Sequence, residues 1–285
     1  MLYLWIVTFL WAFSFSLIGV YLAGEVDGYI AVFIRMALAL VLFLPFLRKP
    51  PHQVTMFKLM MIGAVQIGLM YLFFYHSFLY LSVAEVLLFT ILTPVYVSLF
   101  DRLIARNKVG LFWLVPAVLA VIGAAVIRYQ PLTSDFAIGL LLVQAANICF
   151  ALGQVCYKRL SLPAQQPIHQ HFAYFFLGAT LIALPSALWL GDWQKLPTTT
   201  LQWSVLIWLG LGASGLGYAL WNAGAKKVNT EQLATMNNML IPAGLLVNFL
   251  IWDREADWVR LLIGGSIIVL SVMLAQSTLF ARQKN

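Results

Sequence analysis

In a chain built of long apolar stretches, the polar side chains that interrupt them are where chemistry can occur. Arg35 sits inside one such stretch, about one and a half turns from its end. Its planar fork suits a substrate carboxylate; the alternatives are snorkelling to the interface or an ion pair with Glu85. Glu85 and Glu231 each begin an apolar stretch, where the helix dipole alone stabilises an acid. Partial burial would instead raise either carboxyl towards use as a proton carrier. His76 competes for that proton-coupling role, with an interfacial position as its plainer reading. Carboxamides fall in stripes. Gln144, Asn147, Ala151 and Gln154 lie at offsets 0, 3, 7 and 10, which is one helical face. Glu231, Thr235, Asn238 and Pro242 lie at offsets 0, 4, 7 and 11 with Asn237 adjacent, and a third stretch holds Ser214, Tyr218, Trp221 and Asn222. Such stripes face a cavity or another helix, not lipid. Hydrogen bonding between helices is their ordinary use, but two amides beside a mid-helix proline, which frees a carbonyl, favour a binding role. Trp11, Phe13, Tyr71, Tyr75, Tyr218 and Trp221 could wall an apolar pocket for a ring system, with Ser14 beside the first of them. Taken singly, each aromatic is as well explained by helix packing.

These groups need membrane helices to position them. The 285 residues are 62% hydrophobic and 9% charged, against about a quarter charged in a soluble domain, so most of the surface meets lipid. Apolar runs long enough to span a bilayer lie at roughly 3–22, 29–47, 57–79, 83–101, 110–128, 136–157, 171–190, 202–222, 231–252 and 258–279. The first lacks a basic leader and a small-residue cleavage site, so it reads as a retained helix. An all-α, polytopic protein of ten transmembrane helices is the expectation. The boundary between the third and fourth runs is the least marked, resting on Tyr80–Ser82 and Glu85.

The net charge of +7 does not point to nucleic acid, because the basic residues fall in short loops, where they set orientation. With the N-terminus inside, twelve lysines and arginines fall in cytoplasmic loops and four outside. Both termini are therefore expected in the cytoplasm. Cys149 and Cys156 lie too far apart along a helix for a disulfide and read as packing residues. The ten runs divide into two sets of five. Tyr71–Tyr75 and Tyr218–Asn222 are each followed by a turn, an acid (Glu85; Glu231) and a proline (Pro94; Pro242). Five is odd, so the second set enters the membrane inverted, with a substrate site expected where the halves meet. The halves are residues 1–130 and 131–285.

Trp11–Ser16, Arg35 and Thr93–Pro94 resemble the EamA-type transporters of the drug/metabolite transporter superfamily, and the resemblance spans essentially the whole chain. It implies ten helices in two inverted halves; because arginine at this position belongs to the general family pattern, it favours a structural role for Arg35. Leu22–Asp27, Leu88–Pro94, Gly139–Gln144, Met236–Met239 and Pro242–Asn248 are similar to the bacterial inner-membrane members of that family that carry biotin. This closer resemblance implies biotin uptake; nothing in composition or spacing shows biotin. A ureide has two N–H donors and a carbonyl, which Asn and Gln can match.

The candidate substrate-binding set is thus Trp11, Ser14, Arg35, Tyr71, Tyr75, Gln144, Asn147, Tyr218, Trp221, Asn222, Asn237 and Asn238. Glu85, Glu231 and His76 are the candidates for proton coupling. No cofactor or metal is expected. The sequence has no nucleotide-binding Gly-x-x-x-x-Gly-Lys loop, so any pumping would use an ion gradient or a partner. An exporter of amino acids or other metabolites fits the same architecture. An intramembrane enzyme does not, because His52, His76, His169 and His171 are too dispersed to form a cluster.

Overall fold

The structure, a computed structural model, is described over residues 1–47, 53–106, 134–162 and 169–252, with isolated residues between 119 and 126 and between 259 and 273. All secondary structure among the described residues is helical. Seven helices are long and apolar enough to cross a membrane: Leu2–Tyr21, Gly28–Phe46, Gln53–Ser77, Val83–Ile104, Asp135–Arg159, His169–Leu190 and Thr200–Ala225. Met236–Trp252 is a shorter apolar helix. Of the spans predicted at 110–128 and 258–279 only those isolated residues are described. The other eight begin and end within about one turn of their predicted limits.

In chain order the helices are α1 (Leu2–Tyr21), α2 (Gly28–Phe43), α3 (Gln53–Gly63), α4 (Met70–Ser77), α5 (Val83–Phe89), α6 (Thr93–Ile104), α7 (Ser134–Arg159), α8 (His169–Leu190), α9 (Thr200–Ile207), α10 (Gly217–Ala225) and α11 (Thr230–Trp252). Helices early in the chain pack mainly on late ones: α1 on α10 and α11, α2 on α8, α3 on α8, α4 on α7, and α6 on α7 and α11. Large apolar side chains such as Phe9, Leu141, Trp189 and Leu250 remain exposed on the outside of this arrangement, as a lipid-facing surface requires.

The faint boundary before α5 is held by a capping box. The Ser82 backbone N–H donates to Glu85 Oε2 at 2.8 Å, and the Glu85 N–H donates to Ser82 Oγ at 3.3 Å. Two orphan donors of the helix start are thereby satisfied together. Pro94 does not kink a continuous helix. A 3-10 turn, Thr90–Leu92, interrupts the span, and Pro94 stands in the first turn of α6, where its missing N–H is no loss. Pro242 does lie inside α11.

The spans Gln53–Ser77 and Thr200–Ala225 each pass through a π-helical stretch. Ala64–Leu69 joins α3 to α4 and Trp208–Leu216 joins α9 to α10. Such wide turns are rare and concentrate at functional sites. Each contains or adjoins glycines that admit a neighbouring backbone. A Cβ on Gly63 would lie 1.8 Å from the Phe175 carbonyl oxygen of α8. One on Gly68 would lie 3.1 Å from Ala179 Cα. In the other stretch, a Cβ on Gly210 would lie 3.4 Å from Arg35 Cα of α2, and one on Gly215 3.8 Å from Ala39 Cα. The two glycine pairs are offset by 147 positions and their partners by 140. Tyr71 and Tyr218, two residues past the π stretches, share the offset of 147.

Candidate functional site

Arg35 is fully buried. Seating α2 on Gly210 brings its guanidinium to the second π stretch and the end of α4. Nε donates to Ser214 Oγ at 3.1 Å, Nη1 to the Tyr75 hydroxyl at 2.9 Å, and Nη2 to Tyr71 at 2.8 Å and Ser214 at 2.9 Å. The guanidinium carbon also stands 4.1 Å from the centre of the Tyr71 ring, within cation–π range. These four bonds engage four of the five guanidinium protons, all with neutral hydroxyls. The pairing with Glu85 is not formed, because Glu85 is folded back on Ser82; nor does Arg35 snorkel. Among the described residues its hydrogen-bond partners carry no negative charge, so a full positive charge is held inside the protein with one proton uncommitted.

The arginine forms part of the wall of a central cavity. About 80 Å³ of this space is open to the centre of a water molecule, several times what one water needs. Around Arg35 the wall is polar, with Tyr71 and Tyr218 at a ring separation of 5.9 Å. Further along it is aromatic: Trp11 stands 5.0 Å from Trp221 and 4.9 Å from Tyr218, and Phe150 packs on all three. Both indole N–H groups are consumed within the protein, Trp11 on the Ala213 carbonyl at 2.8 Å and Trp221 on Gln154 Oε1 at 3.0 Å. Asn147 of α7 and Asn237 of α11 complete the polar lining, with Ser14, Thr90 and Thr93.

Below Trp221 the helices are tied by buried amides. Gln66, in the first π stretch, donates to Asn222 Oδ1 at 3.0 Å and accepts from Asn222 Nδ2 at 3.3 Å. Beyond them, at one end of the bundle, Arg159 Nε donates to Asp101 Oδ1 at 2.8 Å, and Thr230 donates to Asp101 Oδ2 at 3.3 Å. Lys158 donates to the Ala225 and Val228 carbonyls, and Lys226 to the Leu160 carbonyl at 2.5 Å. Burial, with Lys158 nearby, lowers the Lys226 ammonium below the usual lysine value.

Of the twelve residues proposed from the sequence to bind substrate, eight line the cavity: Trp11, Ser14, Arg35 and Tyr71 in the first half of the chain, Asn147, Tyr218, Trp221 and Asn237 in the second. The other four lie off it. Tyr75 supports Arg35 from behind. Gln144 donates to the Phe89 carbonyl at 3.3 Å and accepts from Tyr96 at 3.1 Å. Asn222 belongs to the amide belt, and Asn238 keeps a buried Oδ1 without a hydrogen bond. His76 Nδ1 lies 2.6 Å from the Leu72 carbonyl, and its ring packs on Tyr29, away from the cavity. The Glu231 side chain is outside what is described. Sequence reasoning passed over Gln66, which is fully buried; a lone amide in an apolar run was its only signal. It also passed over Phe15, Phe74 and Phe150, indistinguishable in sequence from packing aromatics.

The model of the EamA-like transporter family matches residues 1–129 and again 137–276. The biotin transporter of Salmonella typhimurium is 50% identical over 268 residues, 94% of this chain and 90% of that protein. The biotin transporter of Escherichia coli is 48% identical over the same shares. The probable biotin transporter of Pseudomonas aeruginosa is 52% identical over 95% of this chain and 96% of its own. A crystal structure of a protein 17% identical has the same fold, with a TM-score of 0.67 over 100% of this chain and 98% of that one.

Proposed function

Because the chain belongs to the EamA-like transporter family, we propose that it is a secondary transporter that takes up biotin across a bacterial inner membrane by alternating access. The observation that carries the substrate class is Arg35: a buried cation on a cavity wall, hydrogen-bonded only to neutral hydroxyls. Holding a charge in that state is unfavourable unless an anion completes it. The carboxylate of biotin would do so, with its bicyclic ring against the aromatic wall of Trp11, Phe150 and Trp221. Biotin transporters among the relatives, at about half identity over nearly the whole chain, support the same choice.

The proposed architecture is ten spans in two inverted halves, residues 1–130 and 131–285, with both termini in the cytoplasm. It is supported by the double family match, by the glycine contacts that recur at constant offsets, and by the segregation of loop charge. In this orientation the end holding Asp101, Arg159 and Lys226 faces the cytoplasm. The amide belt of Gln66, Asn222 and Gln154 lies between the cavity and that end, so passage inward requires the belt to part. The available space is well short of a usual ligand pocket, so the cavity must widen to admit biotin.

The test is uptake of radiolabelled biotin by cells that lack their own uptake system and express this chain. Accumulation well above the empty-vector control is expected. Uptake equal to the control, with the protein present in the membrane, would remove biotin and leave the family's other metabolites as substrates.

A further inference from the structure

The hydrogen bonds on the cavity wall have a one-sided distribution. Asn147 Nδ2 donates to the Phe89 carbonyl at 3.0 Å and to Gln144 Oε1 at 3.3 Å. Asn237 Nδ2 donates to the Leu233 carbonyl at 2.9 Å. A carbonyl can only accept, so these bonds fix the orientation of both amides: each turns its nitrogen into the protein and leaves its Oδ1 outside these bonds. Thr90 and Thr93 likewise spend their hydroxyl protons on the Leu87 and Thr90 carbonyls, at 2.6 and 2.7 Å. The indoles of Trp11 and Trp221 are committed as described. Away from the Arg35 cluster, the wall therefore offers two amide oxygens as acceptors, while the donors of Trp11, Trp221, Asn147, Thr90 and Thr93 and one of the two Asn237 N–H groups are spent.

Building on the biotin reading, we infer that Asn147 Oδ1 and Asn237 Oδ1 are the specificity-determining acceptors of this transporter, reading the N–H donors of a cyclic urea whose carboxylate is held by Arg35. A ligand that fits must be divided in the same way as the cavity, anionic at one end and N–H-bearing at the other, with an apolar body between. A ring of equal shape that presents oxygen where the urea presents N–H would set acceptor against acceptor. A site built around a polar partner discriminates strongly against an analogue that lacks it, because its own buried groups are then left unpaired. The neighbouring aromatic faces, by contrast, are indifferent to that exchange.

The experiment is competition for radiolabelled biotin uptake by two unlabelled compounds, biotin itself and its cyclic carbonate analogue, in which both ring N–H groups are replaced by oxygen. The wild-type protein should prefer biotin by ~100-fold or more. In Asn147→Leu and Asn237→Leu that ratio should fall at least tenfold, and because both competitors are compared within one variant, the ratio is independent of how much protein reaches the membrane. A wild-type protein inhibited equally by both compounds overturns the inference and leaves biotin uptake standing, even if neither variant folds. A ratio unchanged in both variants overturns the assignment to these two residues. Absence of biotin uptake by the wild type overturns this inference together with the function it rests on.

Discussion

At Gly63 the backbone of α8 crosses the span Gln53–Ser77 at Phe175, and at Gly210 the backbone of α2 crosses the span Thr200–Ala225 at Arg35. Both crossings sit beside a π-helical stretch and just ahead of a tyrosine that lines the cavity. One carries a phenyl ring in an apolar cluster with Phe172 and Phe176; the other carries the buried guanidinium. The backbone contact is thus a packing solution used twice, while charge is placed at one of the two crossings alone. The same backbone contact presents a cation at one crossing and an apolar ring at the other.

The sharpest way to break this comparison is to remove the charge. Arg35→Gln should lower biotin uptake ~30-fold or more, the scale of losing one partner of a buried charged contact. Membrane abundance should hold, since replacing a buried ion by a neutral side chain need not destabilise. Phe175→Leu should do the opposite, lowering stability by about 1 kcal/mol and leaving uptake per folded molecule unchanged. Parallel loss of uptake and abundance in Arg35→Gln would make the arginine a packing element like its counterpart.

Alanine at the two glycines probes the crossings themselves. At Gly63 a Cβ would run into a carbonyl oxygen at 1.8 Å, so the helices must separate, and a loss of about 3 kcal/mol is expected. At Gly210 the nearest atoms are Leu38 Cδ1 at 2.8 Å, which can turn away, and Leu38 Cβ at 2.9 Å, which moves only with α2; without a carbonyl in the way, stability should fall by only about 1 kcal/mol. Moving α2 there displaces Arg35, so uptake should drop more than folded protein does. Equal effects at both sites on both measurements would show the crossings to be interchangeable.

Much of this organisation could be read from the chain. Apolar run length sets helix limits directly, and a cation in an apolar run is conspicuous because lipid tolerates so few. Position along the cavity was another matter. Gln144 and Asn147 share a helical face, yet Asn147 reaches the lumen and Gln144 stays behind it. Periodicity gives the face but not which turn meets the cavity. The π stretches were also hidden. Their signal was no more than clustered glycine near Gly210–Gly217, which reads equally as close packing. The amide pair of Gln66 and Asn222 depends on residues 156 positions apart, which no local pattern can join.

That amide pair offers a finer test of how the halves are tied. Gln66→Leu or Asn222→Leu alone leaves a buried amide without its partner, an expected loss of about 1–3 kcal/mol. The double substitution Gln66→Leu with Asn222→Leu should be less destabilising than the sum, because no unsatisfied group remains. Equilibrium unfolding of the four proteins in detergent measures the coupling. Strict additivity would mean that the two side chains do not act as a pair.

The smallest effect is expected at the end of the bundle where Asp101 meets Arg159. Here too the contact crosses between the halves, yet the side chains are 23% and 37% exposed, and solvent screens them. Asp101→Asn removes the charge but keeps an oxygen for Thr230, and the bond from Arg159 Nη2 to the Asp101 carbonyl at 3.0 Å is untouched. The expected loss is below about 1 kcal/mol and should vanish as salt is raised, as for other exposed ion pairs. Unfolding at low and high ionic strength checks both statements. A salt-insensitive loss above about 2 kcal/mol would place this end with the buried crossings, as a point that locks the halves together.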